Sequence, residues 1–140
     1  MSKIYIASTL NNPTHNTVVD ALEKKGHEVY NYRNPPNRKI LSKTDTDLLD
    51  FPARAAEVLA SERTAISNAD LMIAIYPFGL SVATEIGYAF GTRTKCIIYA
   101  PSTTLSFELW LIAIPIIHNL DELVEYTDNA NTPPFKSDAE

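Results

Sequence analysis

The stretch Asn68-Ala-Asp-Leu-Met-Ile-Ala-Ile-Tyr-Pro-Phe-Gly-Leu-Ser-Val-Ala-Thr-Glu-Ile-Gly-Tyr-Ala-Phe-Gly91 decides the fold. Its apolar run over residues 71–75 is short and does not alternate, the pattern of a parallel strand covered on both faces. Pro77 and Gly79 stop the strand. The small residues that follow offer a helix start, with Ser81 as the expected N-cap. Glu85 comes four residues later, in the first turns of that helix. Gly87 and Ala89 are small enough to let the helix lie close to a sheet. A carboxylate facing the carboxyl edge of a parallel sheet is placed to meet a ligand.

Working outward, strands and helices alternate. Residues 4–8 read as the first strand and 13–25 as a helix. Val18, Val19, Ala21 and Leu22 form its inner face, and Gly26 stops it. Residues 28–32 form a second strand. The polar segment 34–47 is longer than a minimal connector, as loops that close over sites often are. Residues 53–68 are expected to be helical, with Ala56, Leu59, Ala60 and Ile66 facing inward. Further strands are expected over 95–99 and 114–117, a short helix over 105–111, and a last helix over 120–126 capped by Asn119. This alternation predicts an α/β, single-domain, flavodoxin- or Rossmann-like three-layer sandwich. Its five-stranded parallel sheet has the order 2-1-3-4-5. The domain spans 1–127, and 128–140 reads as an extended or disordered tail. In that order the switch point lies between strands one and three, so residues 7–12 and 75–81 border the expected cleft.

Composition narrows the function. A chain of 140 residues with 45% hydrophobic and 21% charged residues is one ordinary globular domain. A net charge of −5 with no basic run argues against a nucleic-acid polymer as partner. No apolar stretch reaches the ~20 residues of a membrane span. Met1-Ser-Lys leads straight into a strand with no signal peptide, so a cytoplasmic location is expected. The lone Cys96 reads as a buried structural residue, with no metal cluster and no cofactor implied. His15 and His27 read as surface residues, and Asp70 as a structural residue at the edge away from the cleft.

Several pieces resemble the nucleoside 2-deoxyribosyltransferase superfamily, which includes the 2'-deoxynucleoside 5'-phosphate N-hydrolases. They are Lys3-Ile-Tyr-Ile-Ala-Ser8, Lys25-Gly-His-Glu-Val-Tyr-Asn-Tyr-Arg33, Ala69-Asp70-Leu-Met-Ile, Glu85-Ile86-Gly87-Tyr88-Ala89 and Gly91-Thr-Arg-Thr-Lys-Cys-Ile-Ile-Tyr99. The resemblance covers most of residues 3–99 in the family's order. It implies cleavage of the N-glycosidic bond of a (deoxy)nucleoside or nucleoside 5'-monophosphate, with the sugar passed to another base or to water. Glu85 then corresponds to the nucleophile, oriented by Ser81, Thr84 or the backbone, and Tyr5 to the family's early tyrosine beside it. Ser8, Asn11 and Asn12 in the first loop, and Gly79 and Ser81 before the glutamate, correspond to substrate-contacting loops. Asp45 and Asp47 fit base-binding or proton-relay roles, and Arg33 a 5'-phosphate. The family is oligomeric, so a homodimer or larger homo-oligomer is expected, with the Glu85 helix and the Phe107–Leu111 segment as interface.

Each residue also has an ordinary reading. Glu85 can be a solvated carboxylate favoured by the helix dipole, Tyr5 a core tyrosine, and Asp45 and Asp47 loop solubilisers. Two other functions stay open. One is cleavage of an NAD-type N-glycoside, as in TIR-like proteins. The other is a catalytically inactive nucleotide-binding or sensing module, a reading favoured by the absence of an aspartate from the loop before Glu85.

Overall fold

The computed structural model describes residues 1–9, 11–30, 51–101 and 114–129, the first four residues of the second helix by backbone alone. The expected strand over residues 71–75 is its central element, β3 (Leu71–Ile75), buried at every position. On one side lies β1 (Lys3–Ala7), then β2 (Glu28–Tyr30); on the other β4 (Cys96–Tyr99), then β5 (Ile116–Ile117). All pairs are parallel and the order is β2-β1-β3-β4-β5. The predicted five-stranded α/β fold is therefore the observed one.

Side chains alternate across this sheet and build two cores. Leu71, Ile73 and Ile75 join Ile4, Ile6, Ile97 and Tyr99 on one face. That face is covered by α1 (His15–Lys24) through Val18, Val19 and Leu22, and by α4 (Leu120–Asp128) through Leu123. Met72 and Ala74 join Tyr5, Ala7, Cys96 and Ile98 on the other. There α2 (Phe51–Asn68) contributes Ile66, and α3 (Leu80–Gly91) contributes Val82, Ile86 and Ala89. A buried Ile or Leu contributes roughly 1.5–3 kcal/mol, so these two layers are the main source of stability. Alanines at 7, 74 and 100 make the second face shallower toward the carboxyl edge of the sheet, which leaves room for longer side chains there.

The helix ends show how local chemistry sets the boundaries. After α1 the His27 N–H bonds Leu22 O at 3.3 Å and the Gly26 N–H bonds Glu23 O at 2.9 Å. Gly26 sits at φ 85°, where a glycine costs little. The same pattern closes α3: the Thr94 N–H bonds Ala89 O at 2.9 Å and the Arg93 N–H bonds Phe90 O at 3.2 Å. There the left-handed residue is Arg93, at φ 60°. At α4, Asn119 Oδ1 accepts the Asp121 N–H at 2.8 Å and the Glu122 N–H at 3.3 Å, the expected cap.

Five local expectations change. The N-cap of α3 is Gly79, and Ser81 is an exposed residue of the first turn. Gly79 can take that place because its φ and ψ are extended and the first helical bond, from the Ala83 N–H, goes to its carbonyl. Gly87 is exposed and a Cβ there meets nothing within 4 Å, so only Ala89 brings α3 close to the sheet. In α2 the residues Ala56, Leu59 and Ala60 face outward, while Ala55, Val58, Glu62, Ala65 and Ile66 turn inward. His15 and His27 are both buried. The His27 ring accepts the Ser2 N–H through Nδ1 at 3.1 Å and donates from Nε2 to Asp128 Oδ1 at 2.9 Å. Asp128 thus ends α4 and ties it to the sheet. The expected helix over 105–111, the segment 34–47 and the tail from residue 130 lie outside the described residues.

Candidate functional site

At the carboxyl edge, β1 and β3 diverge toward their helices, and the polar loop between β1 and α1 lies in that crevice. Asn12 is buried there. Its Oδ1 accepts both the Thr14 N–H at 2.9 Å and the Thr14 hydroxyl at 2.7 Å. Its Nδ2 reaches Ile75 O at 3.4 Å and Pro77 O at 3.5 Å, linking the β1 loop to the end of β3. The Ser8 hydroxyl pairs with His15 Nδ1, a buried contact that explains why His15 is inside. Asn11, Gly79 and Ser81 are exposed along the rim. Arg33, Asp45 and Asp47 fall outside the described residues.

Glu85 lies in the second turn of α3, on the face toward β1. Tyr5, 1% exposed in β1, donates its phenol to Glu85 Oε1 at 3.3 Å. The second carboxylate oxygen, Oε2, is buried and has no hydrogen-bond partner among the described residues. Thr84, expected to help orient Glu85, instead donates to Leu80 O in its own helix at 2.8 Å. Tyr5 takes that role, and it comes from a strand eighty residues away in sequence.

A carboxyl with an unpartnered buried oxygen resists ionisation. Burial above all, and next the charge of Glu62, push Glu85 from an ordinary 4.5 up to about 8, against a lowering effect of the Tyr5 hydrogen bond. The Tyr5 phenol is pushed strongly upward by burial first, then by the charges of Glu85 and Glu62. It therefore stays a neutral donor at any physiological pH. Glu62 was not expected at this site from the sequence. It sits on the inward face of α2, in step with Val58 and Ile66 at intervals of four residues, and acts electrostatically on both Tyr5 and Glu85. That spacing was the available sequence signal, hidden because Ala56, Leu59 and Ala60 suggested a different face.

Two carboxyl groups in one partly buried site, one held protonated near neutrality, can divide acid and nucleophile roles between them. Among the described residues there is no group of three or more His, Cys, Asp and Glu able to hold a metal. None of their helices is long and apolar enough to cross a membrane. Cys96 is buried and its thiol is pushed up to about 12 by burial, which leaves it inert. Asp70 accepts the Lys3 N–H at 2.8 Å at the opposite edge of the sheet, the structural role expected of it.

No protein-family model matches the chain, and no curated protein matches it in sequence. Among solved structures it is similar to a 2-deoxyribosyltransferase from the psychrotolerant bacterium Bacillus psychrosaccharolyticus. The TM-score is 0.73 at 18% identity, over 95% of this chain and 96% of that one. It is also similar to the CMP N-glycosidase BcmB of Clostridium botulinum. There the TM-score is 0.55 at 20% identity, over 91% of this chain and all of that one. Both likenesses run through nearly the whole of each chain. This chain therefore shares its fold with both of these proteins.

Proposed function

We propose that this protein cleaves the N-glycosidic bond of a (deoxy)nucleoside or nucleoside 5'-monophosphate, with Glu85 as nucleophile. The observation that carries this reading is the Glu85 carboxyl at the switch point, hydrogen-bonded by Tyr5 and electrostatically coupled to Glu62. Two enzymes of the same fold, named for deoxyribosyl transfer and for CMP N-glycosidase activity, support it.

The chemistry follows from the two carboxyl groups. Ionised Glu85 attacks C1' and its electron pair forms the glycosyl ester. The C1'–N bond breaks, its electrons pass to the base, and Glu62 supplies the proton that the departing base takes up. Water or a second base then attacks C1', loses a proton to Glu62, and releases the Glu85 carboxylate. Tyr5 steadies the carboxylate while charge shifts between it and the sugar. The productive form carries one proton on Glu62 with Glu85 ionised, in exchange with the resting form in which Glu85 holds that proton against the Glu62 charge.

Ser8, Asn11, Asn12, Gly79 and Ser81 keep their sequence-based assignment to the sugar. Arg33, Asp45 and Asp47 keep their sequence-based assignment to the phosphate and base. A homodimer is part of the same proposal. The outer face of α3 carries Leu80, 88% exposed, with small exposed residues at 83, 84, 87 and 91, a surface on which a second copy can pack closely.

The test is chromatographic detection of free base. The protein and its Glu85→Gln variant are incubated with deoxynucleosides, their 5'-monophosphates and NAD, with and without an acceptor base. Base release abolished in the variant supports the proposal and names the substrate. New nucleoside only with acceptor marks a transferase. Release from NAD alone moves the reading to an NAD-type glycosidase, and release from nothing moves it to a binding module.

A further inference from the structure

Tyr5 and Tyr30 are direct neighbours across the parallel β1–β2 pair. Their side chains lie on the same face of the sheet, under α2. The rings stack with centroids 5.2 Å apart and planes inclined by only 13°. The Tyr30 hydroxyl lies 3.2 Å from Ser61 Oγ on α2. Ser61 immediately precedes Glu62. One ring thus touches both supports of the Glu85 carboxyl: the phenol that binds it and the helical turn that carries the second carboxylate.

We propose that Tyr30 is a positioning residue, whose ring holds the Tyr5 phenol in line with Glu85. The proposal rests on the reading of Glu85 as the reacting carboxyl and deepens it. The Tyr5–Glu85 bond, at 3.3 Å, is long for an O–H donor, so a small tilt of the ring breaks it. A stacked neighbour on β2 limits that tilt, a restraint an aliphatic residue of similar size does not reproduce.

The groups that face Glu85 are few among the described residues. β1 brings Tyr5, β2 brings Tyr30 behind it, and α2 brings Glu62. β3 brings only Met72 and Ala74 to this face, and β4 brings Cys96 and Ile98. On α3 itself Tyr88 is turned toward Ser67, 3.2 Å away. A change at Tyr30 therefore reaches the Glu85 proton equilibrium through the stacked Tyr5 ring.

The experiment reads the Glu85 titration directly, by carbon NMR of the protein labelled at glutamate Cδ, with Glu85→Gln used to assign the signal. Tyr5→Phe removes a hydrogen bond to a carboxylate and is expected to raise the Glu85 midpoint by about one pH unit. Tyr30→Leu is expected to raise it in the same direction and to add nothing in the Tyr5→Phe background. Tyr30→Phe keeps the stack and restores the midpoint, which separates positioning from simple loss of fold. An unmoved midpoint in Tyr30→Leu overturns the proposal, and so does a shift that adds fully to that of Tyr5→Phe. No change in Tyr5→Phe overturns it too. Because the readout is a titration, it stands apart from turnover. Base release that survives Glu85→Gln defeats the functional reading while leaving the Tyr30 result to be judged by itself.

Discussion

Replacing Glu62 by Gln tests the division of labour between the two carboxyl groups. Burial and the Glu62 charge together lift Glu85 from 4.5 to about 8. At about 1.4 kcal/mol per tenfold change, that lift favours the protonated form by at most about 5 kcal/mol. Burial is the larger cause and the Glu62 charge the second. Glu62→Gln preserves side-chain size, removes that charge and is expected to lower the Glu85 midpoint from about 8. Glu85 then ionises more readily, yet on the proposed mechanism the departing base has lost its proton donor. The expected result is a fall in kcat of about 10²–10³-fold. On the proposed mechanism the native protein should lose activity as pH rises past about 8 and the shared proton leaves; in the variant this limb should vanish. The assay is kcat and kcat/KM for the best substrate of the base-release panel, followed from about pH 5 to about pH 9, with a deoxyriboside of good leaving group as control. The control should lose far less in the variant. A variant with the native pH profile and kcat within about twofold refutes the assignment of Glu62 as acid.

Three further outcomes concern stability. Between 4.5 and about 8 the folded chain holds a Glu85 proton that the unfolded chain has released, so stability falls as pH rises across that window and levels off above it. Glu85→Gln should therefore gain relative to the native protein on going from acid to alkaline pH. The gain is about 2 kcal/mol after discounting for partial exposure, and denaturant midpoints at the two ends measure it. Arg93→Gly relieves a left-handed non-glycine residue in the α3 C-terminal turn and should stabilise by about 0.5–1 kcal/mol, read as a higher Tm. Asn119→Ala removes the acceptor of two N–H groups at the start of α4 and should cost about 1 kcal/mol in the same assay.

The sheet was legible because its strands are short apolar runs separated by Gly, Pro and Asn, and parallel pairing buries both faces of each run. The Glu85 helix was legible for the same reason, and the switch-point rule then located the cleft. What escaped were polar groups placed inside by partners distant in sequence. His27 is buried because Ser2 and Asp128, at opposite ends of the described chain, satisfy its two ring nitrogens. His15 is buried against Ser8. Glu62 is inward although hydrophobic patterning alone assigns carboxylates outward, since an inward charge is costly unless the site uses it. The alanine-rich surface of α2 made two faces equally plausible, and only packing against β1 and α3 chose between them.

The covalent intermediate is the most direct measure of the central claim. The protein is quenched during turnover of its best substrate, and the peptide carrying Glu85 is weighed by mass spectrometry. The account predicts a peptide heavier by one glycosyl group, with the added mass on Glu85 and absent from the Glu85→Gln variant. Steady release of base with no sugar on Glu85, and at an undiminished rate in the variant, would contradict it.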